Sequence, residues 1–397
     1  MHVTGLLTGR ISKARRAAFE VLEAVARGGY ASDELRYRSE FLDPRDAGLA
    51  SQIVFGTLRF QSQLDHLIFL YSRRRVDDLD PPVAIALRMA IFQVRYLERI
   101  PAHAAVDESV ELVKRTKRAA VGLTNAVLRK VNRDPVKWPD LATELSCPGW
   151  LLDRWERHFG DGQGRRIADA ALREPEAYIR VRPGTEPPTG VELEITEVPG
   201  CYRVLSGLRH KLRLHDISSQ AVMPLLDLQA GQRYLDLCAA PGNKTLQALE
   251  TPLSLAVACD LSPKRIREIS AGCPKVVLDA SRPLPFIQLF DRIFVDAPCS
   301  GTGTIGRNPE IKWRVQERDF ARFRQLQIRI VMEGLQVLAR GGKLLYATCS
   351  LEREENEDVI AAVREREPGL RCEREMWRIP GRDPGDGFYG AVLSLNA

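Results

Sequence analysis

Tyr234-Leu-Asp-Leu-Cys-Ala-Ala-Pro-Gly-Asn-Lys-Thr245 reads as the end of a buried strand, a turn of small residues, and the start of a helix at Thr245. Small side chains there let the backbone approach a ligand closely. The turn is neither a GxGxxG nor a Walker sequence, so it lacks the phosphate cradle that a dinucleotide or nucleoside triphosphate requires. A cofactor without phosphate, such as S-adenosylmethionine, tolerates a looser loop. Around this turn, strands are predicted at 233–238, 255–260, 275–279, 291–297 and 342–348, alternating with helical stretches. That alternation is the signature of a doubly wound parallel sheet, a Rossmann-like α/β fold. A later pair is expected near 370–374 and 388–395, the last as an antiparallel edge.

In an open α/β sheet, ligands bind in the crevice beyond the carboxyl ends of the strands. The residues predicted at those ends are therefore the candidate site. Asp260 ends the second strand, where a carboxylate can accept both hydroxyls of a ribose, and Asp279 ends the third, near where an adenine would lie. Either aspartate could equally cap a helix, as Asp260-Leu-Ser-Pro263 allows. Two further strand ends carry thiols: Asp296-Ala-Pro-Cys299-Ser300 and Ala347-Thr-Cys349-Ser350.

Two thiols facing one cleft point to covalent chemistry. An Asn/Asp-Pro-Pro-Tyr sequence at the fourth strand would grip an exocyclic amine; this chain has Asp296-Ala-Pro-Cys299 there. Carbon 5 of cytosine is too electron-poor to attack a methylsulfonium unaided. A thiolate adding to C6 turns the ring into an enamine-like nucleophile, with help from an acid near N3 or a carboxylate on the N4 amino group. A base then removes the C5 proton and the thiol leaves. The residues imply a thiol-assisted methyltransferase acting on a pyrimidine, without saying which cysteine attacks.

Upstream, residues 12–133 read as helices throughout. Ser12 is a reasonable cap for a helix presenting Ala18, Val21, Leu22 and Val25 on one face, with Gly28-Gly29 as its stop. Further helical patterns run from Pro44 to Arg59, Gln61 to Tyr71, Pro82 to Tyr96, His103 to Arg115 and Gly122 to Val131, which together make a bundle. Between them and the sheet, Trp150 to Phe159 reads as a helix, and Tyr178–Arg182 and Tyr202–Leu205 as short strands. The expected division is a helical domain over 1–133, a linker with a small α/β subdomain over 134–215, and a catalytic domain over 216–397.

Charge and composition set the partners. Residues 1–140 hold 23 Lys/Arg against 17 Asp/Glu, whereas the rest hold 35 of each, so the whole net charge of +6 lies in the first third. A basic third fits contact with a polyanion such as RNA, though a solvated basic face would look the same. None of the eight cysteines form a CxxC pair or stand at ligand spacing from a histidine, which argues against zinc and disulfides. No stretch approaches the ~20 apolar residues of a membrane span. The opening Met1–Arg10 is too short and too weakly apolar for a signal peptide, so a cytoplasmic protein is expected. Two lesser features point to function: Arg307-Asn-Pro-Glu-Ile-Lys-Trp-Arg314 as a basic loop for phosphates with Trp313 for stacking, although a solvated surface loop fits equally, and Ser219-Gln220 as a closure over the cofactor.

Leu235-Asp-Leu-Cys-Ala-Ala-Pro-Gly242, Val295-Asp-Ala-Pro-Cys-Ser300 and Tyr346-Ala-Thr-Cys-Ser350 with Glu354-Glu-Asn-Glu357 together resemble the Nol1/Nop2/Sun family of RNA cytosine-C5 methyltransferases. Ala17-Ala-Phe-Glu-Val-Leu22, Arg59-Phe60 and Ile100-Pro-Ala-His103 resemble a NusB-like RNA-binding domain. With Asp386-Gly-Phe-Tyr-Gly-Ala391, they are similar to the bacterial 16S ribosomal RNA subgroup, over residues 12 to 395. The resemblance implies Cys349 as nucleophile, Cys299 as the residue that assists release, and Asp296 beside them. It implies S-adenosylmethionine held by Cys238, Ala239, Ala240, Pro241, Gly242, Asn243, Lys244, Asp260, Asp279 and Asp296, with no metal. The expected partner is 16S ribosomal RNA, free or partly assembled, and the expected state a monomer. A transfer RNA cytidine, or a non-catalytic role in ribosome assembly, are the alternatives. Asn243 stands where the family usually has a second glycine.

Overall fold

The computed structural model describes residues 11–207 and 212–395; the Met1–Arg10 stretch lies outside them. The chain divides into two compact units, one built on residues 1–156 with 171–173 and 306–313, the other on 157–170, 174–305 and 314–397.

The first unit is helical: α1 (Lys13–Ala26), α2 (Ala31–Ser39), α3 (Pro44–Arg59), α4 (Gln61–Ser72), α5 (Pro81–Tyr96), α6 (Ala102–Thr116), α7 (Val121–Leu128) and the single turn α8 (Leu141–Glu144). Proline at the first turn starts α3 and α5, where its missing N–H costs nothing, and Asp43 caps α3 by accepting from the Arg45 and Asp46 amides. Helix α5 is the axial element: Leu87, Met89, Ala90 and Ile91 are all buried. Gly56 of α3 is obligatory, because a Cβ there would lie 1.9 Å from the Phe92 ring. Helix α2 was not anticipated; its apolar content is too sparse for a clear period. Helix α9 (Gly149–Phe159) carries the chain into the second unit.

That unit begins with α10 (Gln163–Leu172) and a small antiparallel sheet of β1 (Tyr178–Arg180), β2 (Val191–Ile195) and β3 (Cys201–Gly207), in the order β1-β3-β2. After α11 (Ile217–Val222) comes a seven-stranded sheet. Its elements are β4 (Arg233–Asp236), α12 (Asn243–Ala248), β5 (Leu255–Asp260), α13 (Pro263–Arg267), β6 (Lys275–Val277), β7 (Phe290–Asp296), α14 (Ile311–Arg314), α15 (Glu317–Gln336), β8 (Leu338–Thr348), α16 (Glu357–Arg366), β9 (Leu370–Arg378) and β10 (Phe388–Leu395). The strand order is β6-β5-β4-β7-β8-β10-β9, and β6 to β8 run parallel.

Side-chain alternation explains why this sheet needs two covered faces. Leu235, Ile293, Val295, Leu344 and Tyr346 pack on one side with Ile328 and Val331 of α15 and Val359 of α16. Tyr234, Phe294, Leu345 and Ala347 pack on the other with Val222, Met223 and Leu226. The last strand is antiparallel, as expected, but it is not the edge. Strand β10, Phe-Tyr-Gly-Ala-Val-Leu-Ser-Leu, is buried almost throughout and sits between β8 and β9, whereas the charged β9 takes the edge. No described helix is long and apolar enough to cross a membrane.

Candidate active site

Strands β4, β5, β7 and β8 are parallel neighbours, so their carboxyl ends present the turn after Asp236, then Asp260, Asp296 and Cys349, at one edge of the sheet. The turn is folded by its neighbours: Leu237 N–H donates to the Phe294 carbonyl at 3.0 Å and Ala239 N–H to the Cys259 carbonyl at 2.7 Å. Gly242 has φ +96°, and a Cβ there would meet Ile269 at 2.8 Å, so glycine is required on two counts. Asn243 is the first residue of α12 and has no positive φ, so the replacement of the usual glycine carries no backbone strain.

Asp260 is buried and fastens this turn. Its Oδ2 accepts the Ala240 N–H at 3.2 Å and its Oδ1 the Ser262 N–H at 2.9 Å. The cap of α13 is Ser262, so the competing reading of Asp260 as that helix's cap does not hold. Arg265 reaches the Ala240 carbonyl at 2.8 Å. Leu261, next in sequence, is 68% exposed beside these groups, an apolar surface that no motif had signalled. Asp279 lies just past β6 and closes its own turn: it accepts from Ser281 N–H at 3.0 Å and from Ser281 Oγ at 2.7 Å, with Arg282 at 3.2 Å. Those donors, Ser281 foremost, hold its carboxyl below the usual range.

Cys299 and Cys349 come together, Sγ to Sγ at 3.4 Å. The hydrogen bond to Cys349, followed by burial and by the carboxylates of Glu355 and Asp296, pushes the Cys299 thiol well above its ordinary value. Lys244 donates to Asp296 Oδ2 at 2.7 Å and lies 5.0 Å from the centre of the Phe388 ring. Burial would lower its pKa, but Asp296 outweighs that, with Cys349 and Asp236 adding to the rise. Lys244 thus ties this turn to Asp296, three residues before Cys299. Cys238 is half-buried, and desolvation raises its thiol well above normal.

The brace behind the two cysteines was not legible as a function. Glu355, fully buried, accepts Ser300 N–H at 2.8 Å, the Ser300 hydroxyl, Ser350 Oγ at 2.7 Å and Gln327 Nε2 at 3.0 Å. It ties the residue after one cysteine to the residue after the other. Burial raises its carboxyl, against the pull of these donors. Asn356 accepts Thr348 Oγ1 at 2.6 Å and donates to the Ser350 carbonyl at 2.9 Å. Gly303 donates to the Cys349 carbonyl at 2.9 Å, and Gly387 N–H to the Gly303 carbonyl at 2.7 Å. A Cβ on Gly387 would lie 2.7 Å from Gly303 Cα and from Leu351 Cδ2, which explains the glycine in Asp386-Gly-Phe-Tyr. The signal was present in the Glu354–Glu357 and Asp386–Ala391 sequences; only their geometry was missing.

Two other readings change. Ser219 bonds His215 Nε2 at 3.0 Å, and the buried Gln220 donates to the His215 carbonyl at 2.7 Å, accepts from Arg180 of β1 and from Gln247 of α12, and so joins those two elements. Lys312 is 2% exposed and donates to the Arg59 carbonyl at 2.8 Å, while Trp313 Nε1 donates to the Leu58 carbonyl at 2.8 Å. That lysine and indole therefore serve the end of α3, not phosphates and bases.

Residues 223–394 match the model of the 16S rRNA methyltransferase RsmB/F family, and residues 12–133 that of the NusB family. The chain is 32% identical to ribosomal RNA small subunit methyltransferase B of Escherichia coli strain UMN026, over 95% of this chain and 97% of the relative. It is 31% identical to the protein of that name from Klebsiella pneumoniae strain 342, over 98% and 99%. The fold is similar to the crystal structure of PH0851, with a TM-score of 0.80 and 22% identity over 96% of this chain and 98% of the other. It is also similar to a methyltransferase homolog protein from Pyrococcus horikoshii, with a TM-score of 0.57 and 22% identity over 66% and 100%. The chain belongs to the RsmB/F family of 16S rRNA methyltransferases, with a NusB domain ahead of its catalytic half.

Proposed function

We propose that this protein methylates C5 of a cytidine in 16S ribosomal RNA, using S-adenosylmethionine and a covalent bond between Cys349 and C6. The observation that carries the reading is the pair of strand-end thiols 3.4 Å apart beside the Lys244–Asp296 pair. The turn at 238–242 suits a nucleoside cofactor: small residues, a required glycine, and Asp260 and exposed Leu261 alongside for a ribose and an adenine. When bound, S-adenosylmethionine supplies an electrophilic methyl group.

This chain's residues would do the rest. Lys244 holds Asp296 through a 2.7 Å ion pair, fixing that carboxylate three residues before Cys299. The Cys349 thiolate adds to C6, forming the S–C6 bond and moving electron density to C5. Lys244 occupies Oδ2 of Asp296, leaving Oδ1 for the cytosine amino group. Once C5 carries the methyl group, a base takes the C5 proton, the C–H electron pair restores the C5–C6 double bond, and the S–C6 bond breaks to release the Cys349 thiolate. Cys299, in contact with Cys349, assists that last step. The base must leave its stack to reach both thiols, at a cost of a few kcal/mol, so an unpaired cytidine is the expected target.

Two variants test this. Cys349→Ala should abolish methyl transfer and yield no adduct. Cys299→Ala should permit attack and then stall as a protein–RNA adduct stable on denaturing gels. An adduct with Cys349→Ala alone would reverse the roles, and normal turnover by both variants would end the covalent mechanism. Bisulfite mapping of ribosomal and transfer RNA from cells with and without the gene identifies the substrate.

A further inference from the structure

We propose that a cavity of about 550 Å³ beside α12 is a second RNA contact, taking a backbone phosphate between Arg182 and Arg213. The inference rests on RNA being the substrate. The cavity is walled by β1, the 213–215 segment and α12, all within the second unit. Its charges do not balance. Arg180 is matched by Glu250, with two contacts of 2.6 Å. His215 is buried, bonded to Ser219, and held well below its ordinary pKa by burial and by Lys244, Arg180 and Arg213, so it is neutral. Arg213 donates to Asn243 Oδ1 at 2.5 Å, Ser270 Oγ at 2.6 Å and the Pro241 carbonyl at 3.1 Å, all uncharged acceptors. Burial pulls it below the usual guanidinium range, and no carboxylate offsets that. The exposed Arg182 side chain has no ion-pair or hydrogen-bond partner among the described residues. Two guanidinium groups therefore face one cavity whose only lining carboxylate among the described residues, Glu250, is already paired.

A phosphodiester is the anion that such a site suits, since guanidinium groups bind phosphate oxygens through paired donors. A strand of RNA explains the location. Arg213 grips the cofactor turn at Pro241 and Asn243, so a phosphate seated on it is one side chain away from the methyl donor's loop. Of the two bonds from Arg213 to that turn, the one to Asn243 Oδ1 needs a side-chain acceptor at position 243 and the one to the Pro241 carbonyl does not.

The test uses the full-length protein and a transcript of 16S ribosomal RNA, with affinity measured from low to moderate salt. Arg182→Ala should weaken binding about three- to tenfold and reduce the salt slope by roughly 0.7–0.9, the loss of one phosphate contact. Arg182→Glu should weaken it further, Arg182→Lys should restore most of it, and cofactor affinity, measured by calorimetry, should stay within twofold throughout. Unchanged RNA affinity and slope with Arg182→Glu, in protein that still binds cofactor, overturns the proposal. So does protection of the wild type by inorganic phosphate that Arg182→Glu abolishes while RNA affinity stays the same, which would make this a free-anion site. These readouts need no turnover, so a wild type that binds RNA without methylating it would count against the proposed reaction and leave the Arg182 result decisive for this site.

Discussion

At the scale of single residues, the strand-end carboxylates were readable as a set but not as individuals. Asp236, Asp260, Asp279 and Asp296 all lie where alternation of strands and helices put them, yet each meets a different environment. Asp279 accepts from its own turn, and Asp260 from the turn at 238–242, because short loops bring backbone amides to whichever carboxylate is nearest. Asp236 is the extreme case. It is buried, accepts from Thr245 Oγ1 at 2.7 Å, and burial raises its pKa to about 7, partly opposed by Thr245. Its folded value lies above the ordinary 3.8, so it favours the folded state below about pH 4 and loses that contribution as pH rises toward 7. A shift of about three units corresponds to on the order of 4 kcal/mol. Asp236→Asn, which keeps the shape and cannot ionise, should therefore gain stability relative to the wild type between pH 5 and pH 8. Urea titrations at the two pH values check this; an equal difference at both would mean the carboxyl is ionised throughout.

At the scale of elements, the parallel strands were legible because their residues alternate between two buried faces, and the turn after β4 because small residues interrupt an apolar run. What joins the elements was not, since Glu355 recognises hydroxyls and an amide supplied by separate stretches of chain. The Cys299 and Cys349 loops follow different strands, and Glu355 is the single group that both Ser300 and Ser350 share. Hydrogen bonds to a buried charge contribute about 1.5–3 kcal/mol each. Glu355→Gln cannot accept all four donors, so the thiols should lose their alignment while the turn at 238–242 keeps its own supports. Methyl transfer should fall on the order of 100-fold, with cofactor affinity, measured by calorimetry, within twofold of the wild type. A parallel loss of cofactor binding would assign Glu355 to general stability instead.

For the molecule as a whole, the two cores answer to different parts of the sequence than linear reading suggests. Residues 306–313 follow Cys299 closely, yet they are built into the first unit, where Glu310 accepts the Ala31 N–H at 2.9 Å and Arg59 reaches the Gly306 carbonyl at 3.0 Å. Composition made this stretch look like a phosphate-binding loop, because a lysine destined for burial is spelled like any other. Lys312 is buried, and burial lowers its pKa to about 7; the carbonyl at the end of α3 and the Trp313 ring, 5.1 Å away, offset that cost. It follows that the two units should respond to different perturbations. Trp313→Phe removes the donor to the Leu58 carbonyl and should cost about 1–3 kcal/mol, which for a unit of this size is a fall of several degrees in its melting temperature. S-adenosylhomocysteine at 100 times its dissociation constant should instead stabilise the second unit by about 2.7 kcal/mol. Hydrogen exchange followed by mass spectrometry resolves the two. Protection should drop in α1 to α7 with Trp313→Phe and rise around β4, β5 and the turn at 238–242 with the ligand. Equal changes in both sets of peptides under either perturbation would mean the two cores unfold as one.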